Sequence, residues 1–170
     1  MYEIVIKLIA DGAVIAVALI SAWALLFLVP NKQKFDAYAR ILMAGLTAYL
    51  VAKLVASIYQ PALERPFEQL GQAAGASYLN NPGFPSDHAL FAMALTLAVW
   101  FETKRAKLTV FLLILTLLMC VGRVLALVHT PLDVIGGIAF AGVGALWYDW
   151  RPFELLKKKR KATRSHKTQK

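Results

Sequence analysis

The chain has 170 residues, 59% of them hydrophobic, and its mean hydropathy is +0.57. A chain this apolar is not typical of a soluble domain of this size and indicates an integral membrane protein. The formal net charge is +9, but nine of the nineteen Lys and Arg residues follow Trp150. The charge therefore belongs mostly to a C-terminal tail, which we expect to lie against anionic lipid headgroups and not to bind nucleic acid.

Five apolar runs are long enough to cross a hydrocarbon layer of roughly 30 Å. They lie at about 4–29, 36–58, 86–102, 107–128 and 132–150. The first is too long for the hydrophobic region of a usual signal peptide, so we interpret it as a retained anchor. Asp11 within it is either a buried polar partner or a residue near the outer interface, and the sequence favours the second. The predicted fold is all-α, a polytopic membrane bundle of about five helices, with one transmembrane domain at 1–150 and a basic tail at 151–170.

Small residues in the last run predict a close helix contact. Gly137, Ala141 and Ala145 lie four residues apart, which places them on one helix face. We expect this face to pack inside one chain and not to form a dimer seam. The sequence does not indicate an oligomeric state.

Basic residues in the connections predict the orientation of the bundle. The tail contains nine of the nineteen Lys and Arg residues. Six more lie at the connections after the first and third runs: Lys32, Lys34, Arg40, Lys104, Arg105 and Lys107. Together these are fifteen of the nineteen. Such residues concentrate on the cytoplasmic side of membrane proteins. We therefore expect a multi-pass protein of the plasma membrane with its tail in the cytoplasm and its N-terminus and the segments 59–85 and 123–131 outside.

Three short segments, all predicted to lie on the outer side, together contain two histidines and two arginines. They are ALERPFEQ at 62–69, NPGFPSDHALF at 81–91 and GRVLALVHTPLD at 122–133. Ser86 and Thr130 are candidate N-caps, so His88 and His129 lie beside two helix N-termini on one membrane face. Exposed N–H groups and helix dipoles at such places favour a bound anion, of which phosphate is the usual one.

Two arginines add permanent positive charge to this face. Arg65 and Arg123 carry forked donors that match phosphate oxygens. The alternative is a simple capping box at Thr130 with a histidine of no special role, and arginines that extend to the lipid headgroups. That alternative does not explain why both arginines stand next to both histidines on a face otherwise poor in cations.

Together the three segments resemble the signature of the phosphatidic acid phosphatase type 2 superfamily, which shares its site with vanadium-dependent haloperoxidases. That signature consists of Lys followed by Arg-Pro, of Pro-Ser-x-His, and of Ser-Arg followed by His and Asp. The third segment matches most specifically, with Arg123, five residues, His129, three residues and Asp133. FPSDH and HTPLD are closest to the bacterial undecaprenyl-diphosphatase branch, which regenerates the lipid carrier of cell-wall synthesis.

The resemblance implies a role for each matching residue. His129 attacks phosphorus and forms a phosphohistidine, while Asp133 orients the ring and stabilises its charged form. His88 protonates the leaving oxygen and later helps water to release phosphate. The groups that bind the equatorial phosphate oxygens are Arg65, Arg123 and the backbone at Ser86. This division suits imidazole, which near neutral pH is a nucleophile when neutral and an acid when protonated.

The chain departs from the family pattern at two positions. The family lysine stands seven residues before the Arg of Arg-Pro, where this chain has Ile58, and the nearest lysine is Lys53. Lys53 either extends to the phosphate or has a role in packing or interior pairing. Gly122 stands where serine usually precedes the arginine, which removes a hydroxyl contact to phosphate. Relatives commonly have six spanning helices, whereas five are predicted here.

The predicted function is that of a phosphatase, without metal or cofactor, that acts on a membrane lipid phosphate or diphosphate at the outer leaflet. Undecaprenyl diphosphate is the leading substrate, and a phosphatidate or phosphatidylglycerophosphate phosphatase is the alternative within enzymes. A phospholipid-binding or transport protein is the alternative without chemistry, but binding alone does not require the pair His129 and Asp133. The arginines supply the positive charge that a metal would.

Overall fold

Helices make up the regular structure of residues 2–149, the part of the chain that the computed structural model describes. The elements are α1 (Tyr2–Lys7), a π-helical turn (Leu8–Gly12), α2 (Ala13–Phe27), a 3-10 turn (Asn31–Gln33), α3 (Lys34–Ile58), α4 (Pro66–Gln69), α5 (Asp87–Thr103), α6 (Ala106–Leu125), α7 (Pro131–Gly144) and α8 (Leu146–Asp149). No strand occurs in this range. The predicted basic tail at 151–170 lies outside the described residues.

Four stretches of the described chain are long and apolar enough to cross a membrane. They are Tyr2–Phe27, Asn31–Ile58, Ala106–Leu125 and Pro131–Asp149. The remaining predicted run corresponds to α5, which has 17 residues and packs against α2, α3, α6 and α7. The all-helical membrane bundle predicted from the sequence is confirmed. At 17 residues α5 is shorter than each of these four stretches, and it lies at the centre of the bundle, where it contacts protein on several sides.

Capping interactions determine where α5 and α7 begin. The Ser86 hydroxyl accepts a hydrogen bond from the Ala89 N–H at the start of α5. At α7 the Thr130 hydroxyl accepts from the Asp133 N–H at 3.2 Å, and the Asp133 carboxylate accepts from the Thr130 N–H at 2.7 Å. Pro131 fills the first helical position, where its missing N–H costs nothing. Both predicted N-caps are present, and each places a histidine at the same end of the bundle.

Small residues let α7 approach its neighbours closely. A Cβ on Gly137 would lie 2.5 Å from the Ser86 carbonyl oxygen, and one on Gly144 would collide with the Ala44 carbonyl oxygen. Gly137 and Ala141 are buried, and Ala145 is partly buried. The predicted small-residue face therefore packs within the bundle, against α5 and α3.

The two ends of the bundle are built differently. At the end away from the histidines, the Arg40 guanidinium forms two hydrogen bonds with the Glu102 carboxylate, at 2.8 and 2.6 Å, and so joins α3 to α5. At the histidine end, the N-terminal helix packs against α4 and the connecting segments through a small apolar cluster: Ile6, Ala10, Phe67, Ala76, Ala126 and Val128. This second contact closes the bundle around the predicted site.

Candidate active site

A small cleft opens at the histidine end of the bundle. The empty space within it, open solvent included, is about 250 Å³. The cleft is lined by Arg65, Leu79, Asn81, Pro82, Gly83, Pro85, Asp87, His88, Arg123 and His129. The structure therefore brings both histidines and both arginines of the three sequence segments to one place.

His129 lies in the wall of the cleft with Asp133 behind it. The imidazole is 4% exposed, and its Nδ1 lies 3.5 Å from the Asp133 carboxylate. At that distance Nδ1 has no hydrogen-bond partner within residues 2–149. Burial lowers the pKa of His129 below its ordinary 6.5; Asp133 opposes this, and the positive charges of Arg123 and Arg65 add to the lowering. The neutral imidazole, which is the nucleophilic form, is favoured near neutral pH.

Arg123, at the end of α6, is the most deeply buried charged side chain of the cleft. It is 1% exposed, and its Nη1 donates to the Asp11 carboxylate at 3.0 Å. Asp11 comes from the π-helical turn of the N-terminal helix and is partly buried. The polar-partner alternative is the one the structure supports. Arg123 Nε is buried and has no hydrogen-bond partner in the described part of the chain.

Arg65 lines the cleft and also organises its rim. Its Nη1 donates to the Val128 carbonyl oxygen, and its Nη2 donates to the Leu79 carbonyl oxygen and to both oxygens of Asn81, at 3.0 to 3.1 Å. One guanidinium thus holds the segment before α5 against the segment before α7. All of these acceptors are neutral, so the charge of Arg65 is not cancelled by its hydrogen-bond partners.

His88 and Ser86 stand at the start of α5 but differ in their access to the cleft. His88 lines the cleft and is partly buried. Ser86 is fully buried, and its N–H donates to the Asp133 carbonyl oxygen at 2.9 Å. That donor, which the sequence predicted for a phosphate contact, is therefore already used within the protein. Its hydrogen bond instead ties α5 to α7 and holds His88 in the same cleft as His129.

Lys53 does not line the cleft but contacts a residue that does. Its Nζ donates to both carboxylate oxygens of Asp87, at 2.8 and 3.0 Å. Of the two roles that the sequence left open for Lys53, the structure therefore shows the pairing. Ile58, at the position of the family lysine, is 81% exposed and contributes no polar group.

Comparison with known families identifies the chain. The family model of the PAP2 superfamily matches residues 37–155, more than half of the chain. The chain belongs to the PAP2 superfamily. PAP2 proteins are phosphatase-type hydrolases that act on lipid-type substrates, which agrees with the membrane bundle described above. No curated protein and no solved structure matches the chain significantly.

The PAP2 match leaves out a part of the chain that contributes to the cleft. Residues 2–27 precede the match, yet they contain Asp11, the ion-pair partner of Arg123. The sequence analysis considered Asp11 but did not assign it to the site, and it missed Asn81, which lines the cleft and accepts from Arg65. The available signal for Asp11 was a charge inside an apolar run, which is rare unless the charge has a partner.

Side chains that commonly bind metal ions are not clustered in the described part of the chain. Within residues 2–149, no group of three or more His, Cys, Asp and Glu side chains is placed to hold one metal ion. The positive charges at the cleft of this PAP2 protein come from arginine side chains and from Lys53 beside Asp87.

Proposed function

We propose that this PAP2 protein is a metal-independent lipid phosphatase at the outer face of the membrane, which converts undecaprenyl diphosphate to undecaprenyl phosphate through a phosphohistidine at His129. The observation that supports the proposal is the convergence of Arg65, His88, Arg123 and His129 from separate chain segments on one small cleft. A cleft at one end of an apolar bundle can admit a phosphate headgroup while the lipid tail stays in the hydrocarbon.

The first step forms a bond between His129 and phosphorus. Nδ1 faces Asp133, so Nε2 is the nitrogen left to attack. As the nitrogen–phosphorus bond forms, the bond from phosphorus to the bridging oxygen breaks and lipid phosphate leaves with a proton from His88. Asp133 stabilises the positive charge that develops on the imidazole, as a carboxylate does in other histidine-dependent enzymes.

The second step regenerates the enzyme. Water attacks the phosphohistidine, its proton passes to His88, and the nitrogen–phosphorus bond breaks to release inorganic phosphate. In both steps the equatorial phosphate oxygens carry the developing charge. Arg65 and Arg123 face them as fixed guanidinium groups in a site shielded from water, where such donors act most strongly. This is the work that a metal ion performs in other phosphatases.

The choice of undecaprenyl diphosphate rests on the resemblance of FPSDH and HTPLD to that branch of the family. The test is phosphate release by the purified protein in detergent from undecaprenyl diphosphate, phosphatidate and phosphatidylglycerophosphate, each with and without EDTA. We expect the fastest release from undecaprenyl diphosphate, unchanged by EDTA. Preference for another lipid would contradict the substrate, and loss of activity in EDTA would contradict the metal-independent reaction.

Two histidine variants identify the nucleophile. His129→Ala should lose at least about a hundredfold in rate, which is the effect expected of a nucleophile or general base. His166→Ala, in the tail, is the matched control and should retain full activity. If His129→Ala keeps its activity, the covalent mechanism is wrong. If the unaltered protein binds these lipids but releases no phosphate from any of them, the non-enzymatic alternative replaces the phosphatase.

A further inference from the structure

We propose that Asp11 is a positioning residue for Arg123, so that the N-terminal helix, which precedes the family match, is a working part of the active site. This proposal rests on the proposed function, in which Arg123 binds phosphate. It assigns a role to a residue outside the three segments that resemble the family signature.

The contacts of Arg123 leave one edge of its guanidinium for a ligand. Nη1 donates to Asp11 Oδ1 at 3.0 Å. Nε is buried without a hydrogen-bond partner among the described residues, on a side chain that lines the cleft. Because a guanidinium binds two oxygens side by side through Nε and one Nη, the edge that Asp11 does not occupy is the one suited to phosphate.

Asp11 is itself held in place by a second set of contacts. Its Oδ1 accepts from the Ser77 hydroxyl at 2.8 Å, and its Oδ2 accepts from the Ser77 N–H at 3.0 Å. Both carboxylate oxygens therefore accept from Ser77, an exposed residue of the segment that precedes α5. Because Ser77 holds the Asp11 carboxylate, Asp11 in turn positions the Arg123 guanidinium, in addition to neutralising its charge.

The backbone around Asp11 is shaped for this contact. Asp11 lies in the π-helical turn Leu8–Gly12, and π-helical turns within α-helices are frequent at functional sites. On the facing helix, a Cβ at Gly122 would lie 2.9 Å from the Ala10 backbone nitrogen and 2.9 Å from a side-chain carbon of Ile9. The glycine that replaces the serine of the family pattern therefore lets the π-helical turn approach α6, beside Arg123.

The consequence for the reaction follows from burial and geometry. A buried guanidinium without a fixed partner moves toward other acceptors or draws in water, because leaving its charge unpaired is costly. A displacement of about 1 Å in a group that contacts the transition state can lower a rate by about a hundredfold. Removal of the Asp11 carboxylate should therefore lower the rate by displacing the Arg123 guanidinium.

A double-mutant cycle tests the proposal in the full-length protein. We expect Asp11→Ala to lower kcat/KM by ten- to a hundredfold, and Asp11→Asn, which keeps an acceptor oxygen, to lower it less. In an Arg123→Lys background, Asp11→Ala should change kcat/KM by less than about threefold. The matched control is Glu3→Gln, which removes an exposed carboxylate from the same helix and should leave kcat/KM unchanged. Equal losses in both backgrounds would overturn the proposal.

A binding measurement separates this proposal from the proposed function. Titration of the protein in detergent with inorganic phosphate measures binding at the free edge of the Arg123 guanidinium, without turnover. Phosphate binding weakened at least tenfold in Asp11→Ala, by a protein that hydrolyses no lipid, would support the positioning role and contradict the phosphatase. Lipid hydrolysis and phosphate binding that are both insensitive to Asp11→Ala would overturn the positioning role alone. Thermal unfolding of each variant confirms that it is folded.

A variant at Gly122 tests the same contact from the other helix. Gly122→Ser restores the hydroxyl of the family pattern but adds a Cβ where the π-helical turn approaches. We expect it to lower kcat/KM at least tenfold, because the turn that carries Asp11 must shift. An increase in kcat/KM would show that the hydroxyl contact to phosphate outweighs the position of Asp11, and would overturn the proposal.

Discussion

Lys53 Nζ donates to both carboxylate oxygens of Asp87, so the carboxylate that lines the cleft is paired with a cation from α3. An unpaired carboxylate there would repel a phosphate. The pair explains how an aspartate can stand between the N-cap Ser86 and the proposed acid His88. It also gives Lys53 an indirect effect on phosphate binding that does not require contact with the ligand.

The first prediction concerns this pair. Lys53→Met should raise KM about tenfold while changing kcat less, because Asp87 keeps its charge and repels the substrate phosphate. Asp87→Asn in the same chain should restore most of the lost affinity, since it removes that charge. Steady-state kinetics of the two single variants and the double variant check this. A double variant as impaired as Lys53→Met would show that Lys53 contacts phosphate itself.

The second prediction concerns pH. Burial lowers the pKa of His129 below 6.5, and the neutral imidazole is the proposed nucleophile. The requirement for neutral His129 therefore retains activity as pH falls to 6.5 and removes it only below that pH. Burial also lowers the pKa of His88, to about 4, so the protonated acid becomes more abundant as pH falls. Since Asp133 raises the pKa of His129, Asp133→Asn should move this acid limb of kcat/KM to lower pH, besides lowering the rate. An acid limb of kcat/KM that moves to higher pH would contradict the assignment of His129 as the nucleophile.

The third prediction compares two glycines of α7. Gly137→Ala should destabilise the protein by about 1–3 kcal/mol, the usual cost of overpacking, because the new Cβ meets the backbone of Ser86 and Leu90. Gly142→Ala adds a Cβ with no atom within 4 Å and should be neutral or stabilise by up to about 1 kcal/mol through helix propensity. Thermal unfolding in detergent measures both. Similar midpoints for the two variants would contradict the close contact of α7 with α5.

The fourth prediction concerns orientation, which is derived from the distribution of cations. In a Cys120→Ala background, which removes the single native cysteine, Leu63→Cys should react with an impermeant maleimide in intact cells. Leu63 is 92% exposed at the histidine end of the bundle. Ser165→Cys, in the tail, should react only after lysis. The opposite pattern would place the cleft on the cytoplasmic side.

Much of the fold could be predicted because it depends on residues close together in the chain. Hydropathy identified the long helices of residues 2–149, since an apolar run of sufficient length has few other uses. The cap of α7 was also predictable, because Thr130, Pro131 and Asp133 act on one another within a single turn. The shared position of His88 and His129 followed from two such local features and the alternation of the spans.

The contacts between distant segments could not be predicted in the same way. Asp11 and Arg123 are 112 positions apart, and their pairing depends on which helices pack together and on a π-helical turn that has no simple sequence signal. The hydrogen bond from the Ser86 N–H to the Asp133 carbonyl oxygen likewise depends on how closely α5 and α7 approach each other. Local rules describe each helix end, but the packing decides which donors remain for a ligand.

The ion pairs around the cleft also bear on proton movement. Within residues 2–149, the charged side chains that line the cleft or form an ion pair with a lining residue are the cations Lys53, Arg65 and Arg123 and the carboxylates of Asp11, Asp87 and Asp133. With both histidines neutral, these six charges cancel. An arriving phosphate then adds net negative charge beside His88, which favours the protonated form of that imidazole. Substrate binding and proton uptake should therefore be coupled, so that the lipid itself charges the acid that later protonates its leaving group.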